Sequence, residues 1–376
     1  MSANLQHDGW MTNKDANVSV PKQMAAVQLI GHGGYDRLLY TEQAPVPEVG
    51  PDEVLIRVLA AGINNTDINT RIGWYSAEMR AGTAEAVTSG PSPVDGDWTG
   101  RGLAFPRIQG ADVCGEIAGL GANVAKGRLG QRVIVQSCLL SLRQGELTPW
   151  LGSERDGGFA QFVSAPSADT YHIQSDLTDA ELAAIPCAFA TAENLLSRAR
   201  LIAGENVLIT GASGNVGIAA IQLAKRRGAH VTAIAASGKF VALQAMGATR
   251  CIERGSAIAA TLGNSSMDVV VDIVGGPQWP DLLNVLKPRG RYAVSGAIAG
   301  PHVQLDLRTL YLKDLTLFGC TSQDAQVFPN LVDYIQRGEI RPLIAKHYPL
   351  RDIAVAQEDF LSKNHVGKIV LIPPET

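Results

Sequence analysis

The segment Val207-Leu208-Ile209-Thr210-Gly211-Ala212-Ser213-Gly214-Asn215-Val216-Gly217 limits what this chain can fold into more than any other. An apolar, β-branched run stops in a turn of small residues. It passes straight into Ile218-Ala219-Ala220-Ile221-Gln222-Leu223-Ala224-Lys225, which reads as a helix. Strand, glycine turn and helix in that order build a phosphate cradle. The glycines let backbone N–H groups approach a pyrophosphate, and the positive end of the helix dipole faces it. A glycine pattern alone says little, but its place between a strand and a helix makes it a nucleotide-binding signal.

The second strand, His230 to Ala236, narrows the cofactor. An NAD site places Asp or Glu about 20 residues past the first glycine, to hold the ribose 2′-hydroxyl. This chain has Ser237-Gly238-Lys239 there. An acidic side chain would repel a 2′-phosphate, whereas a hydroxyl and an ammonium bind it by charge-assisted hydrogen bonds. The pattern predicts NADP(H), with Ser237 and Lys239 as its contacts and Arg254 as a further candidate. The alternative is a solvated turn, with specificity set elsewhere.

The rest of the chain fits an ordinary globular protein. Its 376 residues allow one large or two medium domains. With 18% charged residues and a net charge of −4, there is no basic excess, so nucleic acid is not an expected partner. No apolar run approaches the roughly 20 residues of a membrane helix, so no membrane partner is expected. The stretch from Met1 to about Pro21 is polar and lacks the apolar centre of a signal peptide. Five cysteines are scattered without paired spacing, which argues against a disulfide framework and for a reducing, cytoplasmic setting.

Periodicity divides the chain. From Met24 to Val163, strands are expected at Met24–Ile30, Glu53–Ala61, Gly115–Leu120, Arg132–Ser137 and Phe159–Val163. From Asp179 helices and strands alternate. A helix is expected over Ala180–Ala199 behind a Thr178 or Asp179 cap, and strands at Met267–Val274, Gly290–Ser295 and Leu315–Gly319. The fold class is α/β: a doubly wound, Rossmann-type parallel sheet with a β-rich, partly open barrel module. The expected boundaries are a flexible extension over 1–22, a β-rich domain over 23–167 and 321–376, and a cofactor domain over 168–320. Ser76 to Phe105 has several Gly and Pro and little apolar periodicity. Such a stretch is either a lid or binding loop, with Trp74, Tyr75, Trp98 and Phe105 as pocket wall, or a solvated insertion.

Several motifs together resemble the medium-chain dehydrogenase/reductase superfamily, over about residues 24 to 373. They are Ala60-Ala61-Gly62-Ile63-Asn64-Asn65-Thr66-Asp67, Gln109-Gly110-Ala111-Asp112-Val113-Cys114-Gly115, Asp156-Gly157-Gly158-Phe159-Ala160-Gln161, the glycine turn, and Val271-Asp272-Ile273-Val274-Gly275-Gly276. The likeness is greatest to the zinc-free quinone oxidoreductase and enoyl reductase branch. It implies a GroES-like β module and a homodimer through an exposed edge strand, Gly290–Ser295 or Leu315–Gly319. A catalytic zinc needs about three ligands from Cys, His or carboxylate. Where zinc-dependent relatives carry Cys and His, this chain has Asn64 and Ala111, and Cys187 would be left alone. No metal is expected.

The implied activity is hydride transfer from NADPH to an activated C=C bond of an enone or enoyl compound, or to a quinone. Donors set in advance would meet the charge developing on the carbonyl oxygen. The catalytic candidates are Asn64, as an amide donor or a turn residue, and Asp67, as an orienting group or a helix cap. Tyr75 is the third, as an oxyanion or proton donor or a packed aromatic. Asn69 stands where quinone reductases often have Tyr, Arg71 could meet an anion, and His365 lies near the cleft without an assigned role. Carried over for the cofactor are Thr191, Gly211, Ala212, Ser213, Gly214, Asn215, Val216, Ser237, Lys239, Gly296, Cys320 and Thr321. Two other readings stay open: a metal-free alcohol or carbonyl dehydrogenase, and an NADPH-binding protein without turnover.

Overall fold

A computed structural model describes residues 11–12, 20–89, 102–145 and 147–375. Trp98 and most of the expected N-terminal extension lie outside the described residues. Met11–Thr12 pairs as a short antiparallel strand with Leu120 and Gly119.

β1 (Gln23–Leu29) and β2 (Leu38–Pro45) form an antiparallel pair, and β3 (Glu53–Gly62) follows. β3 is apolar on both faces, and it is accordingly central. It pairs with β4 (Asp112–Leu120) on one side. Between β3 and β4 run two helices, α1 (Asn65–Arg71) and α2 (Thr83–Ser89). β5 (Arg132–Val135), β6 (Phe162–Pro166) and β7 (Thr170–His172) complete the first half of this sheet.

Two helices, α3 (Asp179–Leu182) and α4 (Pro186–Arg198), stand where one was expected over Ala180–Ala199. Pro186 supplies the reason. It has no N–H to give and its ring excludes the preceding turn, so it starts a new helix at the first position. Thr178 is the cap of α3: its hydroxyl accepts from the Glu181 N–H at 3.2 Å, while the Glu181 carboxylate accepts from the Thr178 N–H at 2.8 Å.

β8 (Asn206–Ile209), α5 (Asn215–Arg226), β9 (His230–Ala235), α6 (Phe240–Met246), β10 (Arg250–Glu253), β11 (Met267–Asp272), α7 (Trp279–Val285), β12 (Leu286–Val294), α8 (Leu307–Leu312) and β13 (Thr316–Gly319) make the cofactor module. Its six strands are all parallel in the order β10-β9-β8-β11-β12-β13. The order reverses beside β8, and that switch point opens a crevice for ligands. After α9 (Val327–Gln336), β14 (Ile344–Pro349), α10 (Ile353–Ser362) and β15 (Lys368–Ile372) return to the first sheet, where β15 pairs with β3.

Three expectations need correction. Gly290–Ser295 is not an edge: β12 lies between β11 and β13, and β13 is one of the sheet's two edges, β10 being the other. The fifth expected strand sits at Phe162–Pro166 instead of Phe159–Val163. The Phe159 backbone instead ties two loops to β1, accepting from Val27 and donating to Gln109. Ser76 to Phe105 is not structureless, because α2 lies inside it.

One apolar cluster joins the modules: Ala60, Cys114, Ile134 and Val370 pack with α4, α5 and the inner face of the parallel sheet. A second fills the β module, and a third covers the other face of the parallel sheet against α7.

Candidate active site

The glycine turn leaves β8 and enters α5. Gly211 has φ +57, a conformation that favours glycine, and a Cβ there would press on Ile273 and Val274. A Cβ on Gly217 would overlap the backbone of Ala212 and Gly211, so only glycine lets α5 approach the turn this closely. Ala212 N–H donates to Ile234 O at 3.1 Å and Gly214 N–H to Gly211 O at 3.0 Å, while Gly214 caps α5. Ser213, Asn215 and Val216 therefore sit at the open, positive end of the helix. Beneath them, buried Asp272 accepts from Thr210 Oγ1 and Tyr292 Oη, both at 2.5 Å, and from the Val274 and Gly275 N–H groups. This fastens the ends of β8, β11 and β12 to one carboxylate.

The other cofactor candidates fall on the same side of the sheet. Ser237 and Lys239 follow β9, Gly296 follows β12, and Cys320 and Thr321 follow β13. Lys239 reaches the opposite module, where Nζ donates to Lys363 O at 2.7 Å and His365 O at 2.9 Å and lies 3.5 Å from Ser213 Oγ. Loss of hydration and then the charge of Arg254 draw the Lys239 ammonium below its ordinary range. Lys363, although partly exposed, is lowered by loss of hydration and then by Lys239. Three cations thus crowd one corner of the cleft. Glu253, at the end of β10, stands beside them and accepts from Ser237 Oγ at 3.0 Å.

Thr191 lies one turn along α4 from Cys187 and hydrogen-bonds its thiol. Burial pushes the Cys187 thiol well up, so it stays protonated. The Cys187 N–H, in the first turn of α4, donates to Asp112 Oδ1 at 2.6 Å. Asp112 is fully buried. Its Oδ2 accepts from Asn64 Nδ2 at 2.8 Å and from the Lys368 ammonium, which also donates to Asn64 Oδ1 at 2.6 Å. Gly62 makes room for this pair, since a Cβ there would overlap Lys368 Cε. The Asn64 amide is therefore spoken for on both sides, its remaining N–H lying 3.4 Å from Gly62 O.

Asp67 caps α1 by accepting from the Asn64 N–H at 2.7 Å. Burial lifts its carboxyl to about 7, against the pull of the Asn64 N–H and the Lys368 charge. Tyr75, just past α1, has its phenol raised far above the ordinary range by burial, while hydrogen bonding from Asn69 pulls it down. The structure thus brings Asn64 and Asp67 together at the start of α1, and Tyr75 follows the end of that helix. Arg71 is buried elsewhere, donating to Gln357 Oε1 and Gly33 O.

Sequence reasoning passed over Asp112 and Lys368 as functional groups. The signal available was a single charge at the head of each of two apolar strands, Asp112-Val-Cys-Gly and Lys368-Ile-Val-Leu-Ile.

A parallel six-stranded sheet with a glycine cradle, facing a polar cluster on a second module, defines a nicotinamide-dependent oxidoreductase. The zinc-binding dehydrogenase family model matches residues 215–337, and the alcohol dehydrogenase GroES-like domain model matches residues 50–175. The chain is 28% identical to a quinone oxidoreductase of Rattus norvegicus, over 93% of this chain and 98% of the relative. It is 30% identical to an acryloyl-coenzyme A reductase of Metallosphaera sedula, over 93% and 99%. The solved structure of a candidate alcohol dehydrogenase from Sinorhizobium meliloti 1021 superposes with a TM-score of 0.86 at 45% identity, over 94% of this chain and 98% of that one. The chain belongs to the medium-chain dehydrogenase/reductase superfamily, in its quinone oxidoreductase-like branch.

The donor set does not fit the zinc that one of those family models carries in its description. Asn64 is held by Lys368 and Asp112, and the Asp112 carboxylate is already paired with the Lys368 ammonium. Among the described residues no three His, Cys, Asp or Glu side chains gather around one point.

Proposed function

We propose that this protein is a metal-independent, NADPH-dependent reductase of an activated C=C bond, in an enone or enoyl compound, or of a quinone. The observation that carries this reading is the Lys368 ammonium between Asn64 and Asp112. It puts a positive charge where a metal would otherwise be wanted, and it uses up the polar groups that could bind one. The names of the relatives in this branch support the same class of acceptor.

Reduced nicotinamide, when bound along the turn 211–216 with Thr191, Gly296, Cys320 and Thr321 around its ring end, supplies the hydride. The chain supplies the rest. Tyr75, protonated at any working pH, donates a hydrogen bond to the acceptor's carbonyl oxygen as charge develops there. Asn64 and Asp67 act as positioning residues: they hold the start of α1, and with it Tyr75, against the Asp112–Lys368 pair. Lys239, Arg254 and Lys363 form the 2′-phosphate corner with Ser213 and Ser237. Glu253 is the specific observation favouring NAD(H), because a carboxylate there can accept from a ribose hydroxyl. The 45% identical neighbour favours an alcohol dehydrogenase as the second reading.

The reading extends to a cytoplasmic homodimer. All five cysteines are unbridged, which suits a reducing compartment, and no described helix is long and apolar enough to cross a membrane. Edge strand β13 exposes Leu317, and α8 exposes Leu307, Tyr311 and Leu312.

The test is NADPH and NADH oxidation by the EDTA-treated protein with quinones, enones and aldehydes. Turnover of quinones or enones with NADPH preferred, lowered about 100-fold in Tyr75→Phe, is the expected result. Turnover of aldehydes alone, or activity lost to the chelator, overturns it.

A further inference from the structure

Arg71 closes α1 and takes no part in hydride transfer, yet it is only 1% exposed. An arginine keeps its charge when buried, and a buried charge is costly unless an opposite one meets it. Among the described residues no carboxylate pairs with Arg71. Asp36, in the short turn Tyr35–Arg37, lies instead 3.2 Å from Arg37 Nε. The partners of Arg71 are neutral. Nε donates to Gln357 Oε1 on α10 at 2.9 Å, and Nη1 donates to Gly33 O at 2.7 Å. The Tyr35 ring covers the guanidinium, its centroid 4.6 Å from Cζ.

Two buried donors at this place have no partner, Arg71 Nη2 and Gln357 Nε2. Gln357 is itself fully buried. Nη2 shares the guanidinium with Nε, and Nε2 shares the amide with Oε1, so both orphan donors sit beside one 2.9 Å hydrogen bond. One small acceptor can meet both. A water molecule suits the place poorly, because it brings hydrogens that need acceptors of their own. The main-chain oxygens at this end of α1 already accept. Asn69 O takes the Trp74 N–H, Thr70 O takes the Gly73 N–H and His32 Nδ1, and Arg71 O takes the Gly33 N–H. Gly33 O takes Arg71 Nη1. A positive charge, two spare N–H donors and committed acceptors match an anion, which only accepts.

We propose that Arg71 and Gln357 form a binding site for one halide-sized monovalent anion, chloride in ordinary salt, at the junction of α1 and α10. The ion neutralises the buried guanidinium. It also fastens the end of the helix whose start carries Asn64 and Asp67. The site is independent of which acceptor the enzyme reduces.

Bromide is the probe, used on full-length protein at constant ionic strength with gluconate as the balancing anion. The melting temperature of the parent should rise saturably with bromide, by about 3 °C at about 100 times the dissociation constant. Crystals soaked in bromide should show an anomalous peak in contact with Arg71 Nη2 and Gln357 Nε2. Gln357→Glu brings a carboxylate to the guanidinium and should abolish the bromide response while melting no earlier than the parent in gluconate. Gln357→Met keeps the length of the side chain but not the donor, and should raise the half-saturating bromide concentration about tenfold or more. No anomalous peak at the two nitrogens overturns the proposal, as does a bromide response equal in the parent and both variants. A peak with no melting response means binding at crystal concentration only and overturns it too. Should neither variant fold, the peak and the saturable response of the parent decide.

Discussion

Asp67 and Lys368 show how burial gives a common side chain an uncommon role. The Asp67 carboxyl is raised from 3.8 to about 7 by burial, so the folded protein holds a proton that the unfolded chain has released. Stability therefore falls as pH climbs from about 4 to about 7 and is level above that, with a total effect of up to about 4 kcal/mol. Asp67→Asn lacks this slope but keeps an oxygen to accept from the Asn64 N–H. Melting curves across pH should show the Asp67→Asn variant gaining on the parent from pH 4 to pH 7 and keeping a constant lead beyond. Parallel curves for the two proteins would remove the buried carboxyl as the cause. For Lys368, the expected cost comes from the partner left behind. Lys368→Met strands a buried Asp112 charge and should lose about 3–5 kcal/mol in urea unfolding. Lys368→Met with Asp112→Asn should recover most of that loss, because no unpaired charge remains. Neither Asp112 nor Lys368 stood out in the sequence, since one charge at the head of an apolar strand reads as a solvated end until a partner from a distant strand is placed against it.

Elements were legible in proportion to their signal. β8, the glycine turn and α5 carry a β-branched run, small turn residues and an amphipathic stretch in sequence, and they fold as expected. The split at Pro186 had a clear sign in the proline itself, but the apolar length of Ala180–Ala199 outweighed it. α2 had none: Thr83-Ala-Glu-Ala-Val-Thr-Ser is short, and the side chains it is seen to bury are Thr83 and Ala86, so no apolar stripe marks it as a helix. Its position comes from tertiary contacts with Ile298 and Asn69. At the cradle, element geometry yields a direct test. Gly217→Ala places a methyl group into the Ala212 backbone and pushes α5 away from the turn. The expected outcome is about 1–3 kcal/mol of lost stability and NADPH binding weakened by about tenfold or more, read by calorimetry. Unchanged affinity would mean that α5 need not approach so closely to bind.

At the scale of the molecule, two modules share one apolar cluster, and the cleft between them collects groups separated by hundreds of residues. Lys368 meets Asn64, and Lys239 meets His365. The other whole-molecule feature is the open edge of the parallel sheet, where β13 and α8 expose apolar side chains. A homodimer through this edge should sediment at twice 39.8 kDa, and Leu317→Arg with Leu312→Glu should return it to one chain while melting stays close to that of the parent. An unchanged mass in the double variant would place any dimer contact elsewhere. The amino-acid order alone was enough for the cradle, the parallel sheet, the β module and the family, because each depends on local period, turn residues or short motifs. The pairing of Asp112 with Lys368, the edge position of β13 and the hydrogen bond from Thr83 to Asn69 needed the folded chain. Hydrogen bonds between distant residues leave no period in a sequence, and burial sets the charge state of a side chain only after its neighbours have arrived.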